Sequence, residues 1–270
     1  MTSIFFWNTN KNENIDSLLV DAVVENDCDI IVLAEYTKDL RGLCNELSLY
    51  DKDFQPINIV GCERIKIASS VQYRYEMISD GDYHTIQNIK YLSKEILLVA
   101  LHLPSKMFRN EEDQKLMASR IVGDIEVAEK QVAHTNTIII GDFNANPFES
   151  ACISAGAFHA VPNISVAKKR RRKVNYKEYK LFYNPMWNFF GDQNSPNGTY
   201  YYDCSGAKTY FWNIFDQVLF SPGMIKCFER DSLKIISKIK NTSLMNDKHL
   251  PNTEISDHLP IFFRIEEESI

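Results

Sequence analysis

The chain has 270 residues, of which 44% are hydrophobic and 24% charged, and its formal net charge at pH 7 is −6. This composition is typical of a globular protein with one large core and argues against a disordered chain. No apolar run is long enough for a transmembrane helix, and the N-terminus lacks the basic and apolar regions of a signal peptide. We therefore expect residues 1–270 to form a single intracellular domain, cytoplasmic by default or nuclear.

The six cysteines are dispersed along the chain and form no CxxC pair. Structural zinc sites usually contain such pairs, so a zinc centre is not expected. Because the chain carries no export signal, the thiols are expected to be buried and unpaired rather than joined in disulfides.

Hydrophobic periodicity predicts many strands with helices between some of them. The chain opens with a predicted strand at residues 4–8, an amphipathic helix at 15–26 and a buried strand at 29–35. Further strands are predicted at residues 64–70, 72–78, 86–91, 96–101, 137–140, 213–220, 230–240 and 259–264. A long helix is predicted at 111–130 and a short one at 147–155. Alternation of this kind indicates an α/β fold.

Polar side chains follow or interrupt six of these apolar runs. The isoleucines at 138–140 lead into Gly141 and then Asp142 and Asn144, two residues apart, which places both on one side of the chain where the strand ends. The complete set of strand-end residues is Asn8, Glu35, His102, Asp142, Asn144, Asp216, Asp257 and His258. Polar groups collected at one edge of a sheet are the expected layout of an α/β active site. The alternative without a function is that these residues only form turns and cap the strands.

Six segments form an ordered set of motifs. The most specific are GDFNANP at 141–147 and SDHLPI at 256–261, and the others are WNTN at 7–10, LAEY at 33–36, LHLPS at 101–105 and FDQVLF at 215–220. Together they resemble the motifs of the endonuclease/exonuclease/phosphatase superfamily, the DNase I-like fold, over residues 4 to 265. The resemblance implies a four-layer α-β-β-α sandwich of two packed, mostly antiparallel sheets. It also implies hydrolysis of phosphodiester bonds with Mg²⁺ or Mn²⁺.

The resemblance implies a role for each strand-end residue. Glu35 resembles the principal metal ligand, with Asn8 and Asp257 nearby, and Mg²⁺ prefers such oxygen ligands. The catalytic set would be Asp142 to align or deprotonate the attacking water, Asn144 to hydrogen-bond a phosphoryl oxygen, His102 to contact the phosphate or the leaving group, and Asp216 to orient and charge His258. A glutamate supports the histidine in some branches of the family, and Glu76 is the candidate for that position here.

Residues 163–186 concentrate positive charge in an otherwise acidic chain, with eight lysine and arginine side chains against the single acid Glu178. The cations of the central run are Lys168, Lys169, Arg170, Arg171, Arg172 and Lys173, and aromatic residues follow them. Residues 163–212 are interpreted as a basic and aromatic insert over the site, whose cations bind the phosphate backbone of the substrate. A solvated loop or a nuclear localisation signal are the alternatives.

The first functional hypothesis is therefore a nuclease that acts on DNA or RNA. A phosphatase or phosphodiesterase for inositol phosphates, phospholipids or small nucleotides is the alternative, in which the basic run would grip clustered phosphates. A binding module without catalysis is the third hypothesis, and the presence of all eight strand-end residues argues against it.

Overall fold

The computed structural model describes residues 1–92, 94–107, 109–192 and 195–266. Its strands are β1 (Thr2–Asn8), β2 (Ile30–Ala34), β3 (Phe54–Pro56), β4 (Ile65–Ser70), β5 (Arg74–Gly81), β6 (His84–Tyr91), β7 (Lys94–His102), β8 (Thr137–Asp142), β9 (Ala160–Val161), β10 (Arg171–Val174), β11 (Lys177–Lys180), β12 (Phe182–Tyr183), β13 (Tyr200–Tyr202), β14 (Phe211–Asn213), β15 (Asp216–Phe220), β16 (Phe228–Ile235), β17 (Lys238–Ile239), β18 (Thr242–Ser243) and β19 (Ile261–Ile265). Its helices are α1 (Asp16–Asn26), α2 (Leu40–Ser48), α3 (Glu111–Val132), α4 (Ser150–Ile153) and α5 (Ile164–Ala167), with short 3-10 helices at Pro185–Phe189 and Met224–Lys226.

Two large mixed sheets dominate the structure. The six-stranded sheet has the order β16-β19-β1-β2-β4-β3, and the seven-stranded sheet has the order β5-β6-β7-β8-β15-β12-β9. Within these two sheets the parallel neighbours are β1 with β2, β7 with β8, and β9 with β12, and the other neighbours are antiparallel. The prediction of two mostly antiparallel sheets is confirmed.

The core explains why β8 is apolar on both faces. Ile138 and Ile140 belong to the hydrophobic cluster between the two sheets, whereas Ile139 faces outward and packs in a second cluster with Ile121 and Ile125 of α3. Alternate residues of a strand point to opposite faces, so a strand covered on both sides needs a continuous apolar run. Helices α1 and α2 contact each other on the side of the six-stranded sheet. The layers therefore form the predicted α-β-β-α sandwich.

The strands of one sheet lie opposite particular strands of the other. β1 packs against β8 and β15, and β2 packs against β7 and β8. The rings of Phe220 in β15 and Phe263 in β19 meet between the sheets, with centroids 5.4 Å apart. Asn8 pairs in register with Ala34, and His102 pairs with Asp142, so β1, β2, β7 and β8 all end at one edge of the sandwich.

Three local predictions differ from the structure. Helix α2 was not predicted, although Asp39 caps it by accepting a hydrogen bond from the backbone N–H of Arg41 at 2.9 Å. The predicted strand at 213–220 is divided into β14 and β15, because the backbone N–H of Ile214 donates to the side chain of Asn146 instead of to a neighbouring strand. The predicted strand at 230–240 is likewise divided into β16 and β17.

The predicted placement of the basic run over the site is wrong. Residues 171–180 form the separate two-stranded ribbon β10–β11, and its last residue, Lys180, makes a buried ion pair with Glu129. Glu129 also accepts a hydrogen bond from Thr137, the first residue of β8, at 2.5 Å. Asp142 is the last residue of β8, so the ribbon leaves the sheet at the end opposite the strand-end residues.

Some predictions concern parts of the chain or properties that the structure does not test. Residues 193–194 of the predicted insert and residues 267–270 of the predicted domain lie outside the described residues. The single domain and the cytoplasmic or nuclear location stay predictions. Among the described residues, no helix combines the length and the apolar character needed to cross a bilayer. The six cysteines are free, and five of them are buried.

Candidate active site

Asp142 lies at the centre of the strand-end residues. Its Oδ2 atom accepts hydrogen bonds from the side-chain amides of Asn8 at 2.9 Å and Asn144 at 3.2 Å, and its Oδ1 atom accepts one from the backbone N–H of Asn144 at 2.8 Å. The Nε2 atoms of His102 and His258 lie 3.6 and 3.9 Å from the same Oδ2 atom. The carboxylate is therefore fixed by two amides and faces two imidazoles.

His258 and Asp216 form a buried hydrogen-bonded pair. The Nδ1 atom of His258 lies 2.8 Å from Oδ2 and 3.1 Å from Oδ1 of Asp216, whose side chain is fully buried. Burial by itself would lower the pKa of His258, but the negative charges of Asp216 and Asp142 outweigh that effect and raise it to about 10. Burial raises the pKa of Asp216 to about 6, opposed by the charge of His258. At neutral pH the pair is therefore an imidazolium and a carboxylate.

His102 and Glu35 form a looser pair nearer to solvent. The Nε2 atom of His102 lies 3.6 Å from Oε1 of Glu35, and the Glu35 side chain is 26% exposed. Burial lowers the pKa of His102 despite the opposing charges of Asp142 and Glu35, so this imidazole is neutral at pH 7. The prediction that Glu76 supports His102 is wrong, because Glu76 lies on the edge strand β5 and pairs with Lys90 at 3.7 Å.

Of the side chains that could hold a divalent cation, Glu35 and Asp257 are partly exposed and Asn8 is buried. Asp257 is half-buried, and burial raises its pKa; the charge of His258 opposes this effect, and those of Glu35 and Asp142 add to it. A cation would relieve the repulsion among these carboxylates, and oxygen donors are what Mg²⁺ and Mn²⁺ prefer. The Oδ1 atom of Asn8 accepts one backbone hydrogen bond and retains a second lone pair. The donor set therefore fits the predicted metal.

A second cluster of possible ligands is better explained as a hydrogen-bonded network. Donor atoms of Asp142, Asp216 and His258 lie within 4.8 Å of one another. The 2.8 Å contact between His258 and Asp216 leaves no space for an ion between them, and Asp216 is fully buried. The more exposed Glu35 is the better anchor for a hydrated cation such as Mg²⁺, which keeps several water ligands.

The turn after β8 explains why the GDFN sequence forms the site. Gly141 has φ of +154°, and a Cβ atom there would lie 1.9 Å from the carbonyl oxygen of Leu101 in β7. The absence of a side chain thus allows β7 and β8 to approach and brings His102 level with Asp142. Asn144 has φ of +46°, a left-handed conformation that asparagine tolerates better than most residues.

Several residues that support the site were not singled out from the sequence. Thr199 Oγ1 accepts the backbone N–H of Asp216 at 3.1 Å, and the Tyr200 ring lies against His258 with centroids 4.7 Å apart. Ser256 Oγ donates to the backbone oxygen of Asn8 at 2.8 Å. Ser256 belongs to the SDH motif, so its position in the sequence could have identified it as a site residue. Thr199 and Tyr200 belong to the insert, where no motif marks them.

An open groove of about 1280 Å³ begins at the site. Glu35 and His102 line it, and its charged lining is balanced, with the cations Lys11, Arg41, Arg64 and Lys66 and the acids Glu35, Asp39, Glu63 and Asp82. The Arg64 guanidinium lies over the Tyr83 ring, 5.0 Å from its centroid. Among the described residues, Arg64 makes no ion pair with a carboxylate, so its charge is available to an anion in the groove.

Two facing mixed sheets with carboxylate, amide and imidazole groups at one shared edge define the class of the fold. It is a DNase I-like α-β-β-α sandwich, and the fold predicted from the six motifs is confirmed. No protein-family model matches the chain, and no curated protein matches it. The evidence from known proteins is therefore similarity to solved structures.

Three solved structures illustrate that similarity, each covering 98% of this chain. An endonuclease/exonuclease/phosphatase family protein from Bacteroides thetaiotaomicron matches over 97% of its own length with a TM-score of 0.59 and 14% identity. The endonuclease domain of TRAS1, a telomere-specific non-LTR retrotransposon, matches over 98% with a TM-score of 0.58 and 11% identity. TDP2 of D. rerio, complexed with a single-strand DNA product, matches over 98% with a TM-score of 0.56 and 15% identity. At these identities the likeness establishes the fold.

Proposed function

We propose that the protein is a divalent-metal-dependent phosphodiesterase that hydrolyses phosphodiester bonds of DNA or RNA by in-line attack of water. The observation that carries the proposal is the convergence of three pairs, each joining the two sheets. The pairs are Asn8 with Asp142, His258 with Asp216, and His102 with Glu35. They place a fixed carboxylate, an imidazolium and a neutral imidazole beside one open groove.

The arrangement supports different tasks for Asp142 and His258. Asp142 carries an oriented carboxylate that aligns or deprotonates the attacking water. The Asp216 carboxylate keeps the Nδ1 proton of His258 in place, so the second proton of the imidazolium lies on Nε2. That N–H, 3.9 Å from Asp142 Oδ2, stabilises negative charge that develops on the phosphoryl oxygens. His102 is neutral and contacts the phosphate or the leaving group.

Asn144 has a different proposed role from the one that the resemblance implied. Its side-chain amide donates to the backbone oxygen of Leu103 at 2.9 Å and to Asp142 at 3.2 Å. Both amide hydrogens are therefore engaged within the protein. We propose that Asn144 orients Asp142 in the absence of substrate, rather than presenting a free donor to a phosphoryl oxygen.

Glu35, with Asp257 and Asn8, would hold the Mg²⁺ or Mn²⁺ ion, which when bound neutralises charge on the phosphate and acts as a Lewis acid. The Arg64 guanidinium, which lines the groove beside these residues, supports an anionic substrate. Two of the similar structures also support nucleic acid as the substrate, since one is an endonuclease domain and the other is complexed with a DNA product. Nucleic acid is therefore the proposed partner.

The test is a cleavage assay with labelled single- and double-stranded DNA and RNA, in Mg²⁺, in Mn²⁺ and in EDTA. Asp142→Asn and His258→Gln should abolish cleavage, and EDTA should do the same to the native protein. The matched controls Asp231→Asn and His249→Gln change exposed side chains that are not among the strand-end residues and should cleave normally. Full activity of Asp142→Asn or His258→Gln would contradict the proposal. Turnover of inositol phosphates or phospholipids alone would replace it with the alternative.

A further inference from the structure

The basic run forms a concentrated positive surface, on which Glu178, opposite Lys173 across the ribbon, is the acid. Its cations are Lys168, Lys169, Arg170, Arg171, Arg172, Lys173 and Lys177, which are all exposed. Within the described part of the chain, none of the seven forms an ion pair with a carboxylate. Arg171 even lies opposite Lys180 across the ribbon, and like charges in that position repel. Binding of an anion would relieve the repulsion within this concentration of charge.

The ribbon is anchored to the body of the protein and is not a loose loop. Its strands pair over four residues each, and the backbone N–H of Leu181 donates a hydrogen bond to the backbone oxygen of Arg170 at 2.9 Å. The base is fixed by the buried ion pair of Lys180 with Glu129, while the Lys180 carbonyl contacts His159 Nδ1 at 2.9 Å. The backbone that carries these cations is therefore held in a defined arrangement, which lowers the entropy cost of binding an extended ligand.

The tip of the ribbon adds an aromatic side chain. Asn175 and Tyr176 both have positive φ, as in a tight hairpin turn. The Tyr176 side chain is 94% exposed, and the Lys173 ammonium lies 5.7 Å from its ring centroid. Val174 is the aliphatic residue of the ribbon and is half-buried, so the tip has no exposed aliphatic group to insert into a bilayer.

We propose that the ribbon, residues 171–180, and the cations at 168–170 that precede it form a second binding site for nucleic acid, and that their partner is the major groove of duplex DNA. Each strand of four residues is about 13 Å long, and a two-stranded ribbon fits the B-form major groove, about 12 Å wide. The deep, narrow major groove of A-form RNA does not admit it. The arginine and lysine side chains contact the phosphates, and Tyr176 approaches the bases.

The ribbon lies at a distance from the candidate active site. Its base contacts Glu129, which accepts a hydrogen bond from Thr137, and five residue steps along β8 separate Thr137 from Asp142, which is about 16 Å. DNA engaged at the ribbon would therefore be held at least about five base pairs from the Asp142 site, at 3.4 Å per base pair. The ribbon is thus a binding site for a long polymer that is remote from the groove beside Glu35.

The experiment measures binding without turnover, by fluorescence anisotropy of a labelled 24-base-pair DNA duplex in EDTA over a range of salt concentrations. The triple variant Arg171→Gln, Arg172→Gln, Lys173→Gln should bind about 100-fold more weakly at 0.1 M salt, with a salt slope smaller by about 2 to 3, because up to three phosphate contacts are lost. The charge-matched control Arg230→Gln, Lys238→Gln, Lys248→Gln removes three other exposed cations and should bind like the native protein.

Tyr176→Ala should weaken binding to the duplex without changing the salt slope. An equal loss of affinity in the control variant would overturn the inference, as would native affinity in the ribbon variant. Equal ribbon-dependent binding to an RNA duplex, or binding only to phosphatidylserine vesicles, would also overturn it. The inference does not depend on hydrolysis: if the protein cleaves nothing but binds DNA through the ribbon, this site stands and the proposed activity fails.

Discussion

The Asp216→Asn substitution tests whether a buried carboxylate keeps His258 charged. Asp216 is fully buried, and both of its oxygens contact His258 Nδ1. Asparagine has the same shape and can still accept a hydrogen bond, but it carries no charge to favour the imidazolium. The substitution therefore removes the largest influence that raises the pKa of His258.

The magnitude of the effect follows from the protonated fraction of His258. With its pKa at about 10, the native imidazole remains charged from pH 6 to pH 8. If the variant imidazole returns to the ordinary histidine value of about 6.5, roughly 75% is charged at pH 6 but only about 3% at pH 8. The ratio of variant to native kcat should therefore fall about 25-fold between these two pH values.

The assay compares kcat of the two proteins at pH 6 and pH 8, together with an NMR titration of histidine ring signals assigned with His258→Gln. The sign is unambiguous: loss of the carboxylate lowers the pKa of His258, so activity is lost as pH rises. The matched control is Asp124→Asn, which removes a carboxylate 3.3 Å from His84 on the other side of the seven-stranded sheet. Its activity ratio should not change with pH.

Two results would refute this reasoning. The first is a ratio of variant to native kcat that is equal at pH 6 and pH 8. The second is a native NMR spectrum in which His258 is neutral at pH 7. Either result would mean that the buried pair is not an imidazolium and a carboxylate, and that His258 stabilises no negative charge as a cation.

Three further predictions concern Gly141 in the turn after β8, the proposed metal ligand Glu35 and the side-chain amide of Asn144. Gly141→Ala should destabilise the fold by more than about 3 kcal/mol in urea unfolding, because its Cβ would collide with a backbone carbonyl, whereas Gly123→Ala, where the new Cβ meets nothing within 4 Å, should stabilise by about 0.5–1 kcal/mol. Similar values for the two variants would contradict the geometry. Glu35→Gln should raise the Mg²⁺ concentration for half-maximal activity at least about tenfold, because a charged oxygen ligand is lost; an unchanged titration would remove Glu35 from the metal site. Asn144→Asp should lower kcat at least about 100-fold with little change in Tm, because a second carboxylate would face Asp142; native kcat would exclude an orienting role.

Local signals in the sequence were sufficient to predict the main strands and the residues at the sheet edge, whereas the sandwich itself was predicted from the resemblance of the six ordered motifs. Three consecutive isoleucines predict a strand buried on both faces, and glycine followed by polar residues predicts where that strand ends. Asp142, Asp216 and His258 were selected in this way, and the structure brings them together. Helix α2 was missed because it is short and carries a glycine at Gly42, which weakens the helical pattern.

The location of the basic ribbon could not be predicted, because it depends on contacts between distant parts of the chain. Lys180 and Glu129 are 51 positions apart, and no periodicity or turn signal links them. Local composition correctly identified an exposed cationic segment but gave no information about which end of the sheet it leaves. The contact of Tyr200 with His258 escaped prediction for the same reason, since it joins a three-residue strand to a distant motif.

Neither sheet of the sandwich holds a complete set of site residues. The partners of Asn8, His258 and Glu35 all belong to the opposite layer, so the alignment of the two layers is itself a component of the site. Sliding one layer past the other by a single residue, about 3.3 Å, would separate all three pairs at once. Substitutions deep between the layers, such as at Phe220 or Phe263, are therefore expected to disturb this edge while every strand remains intact.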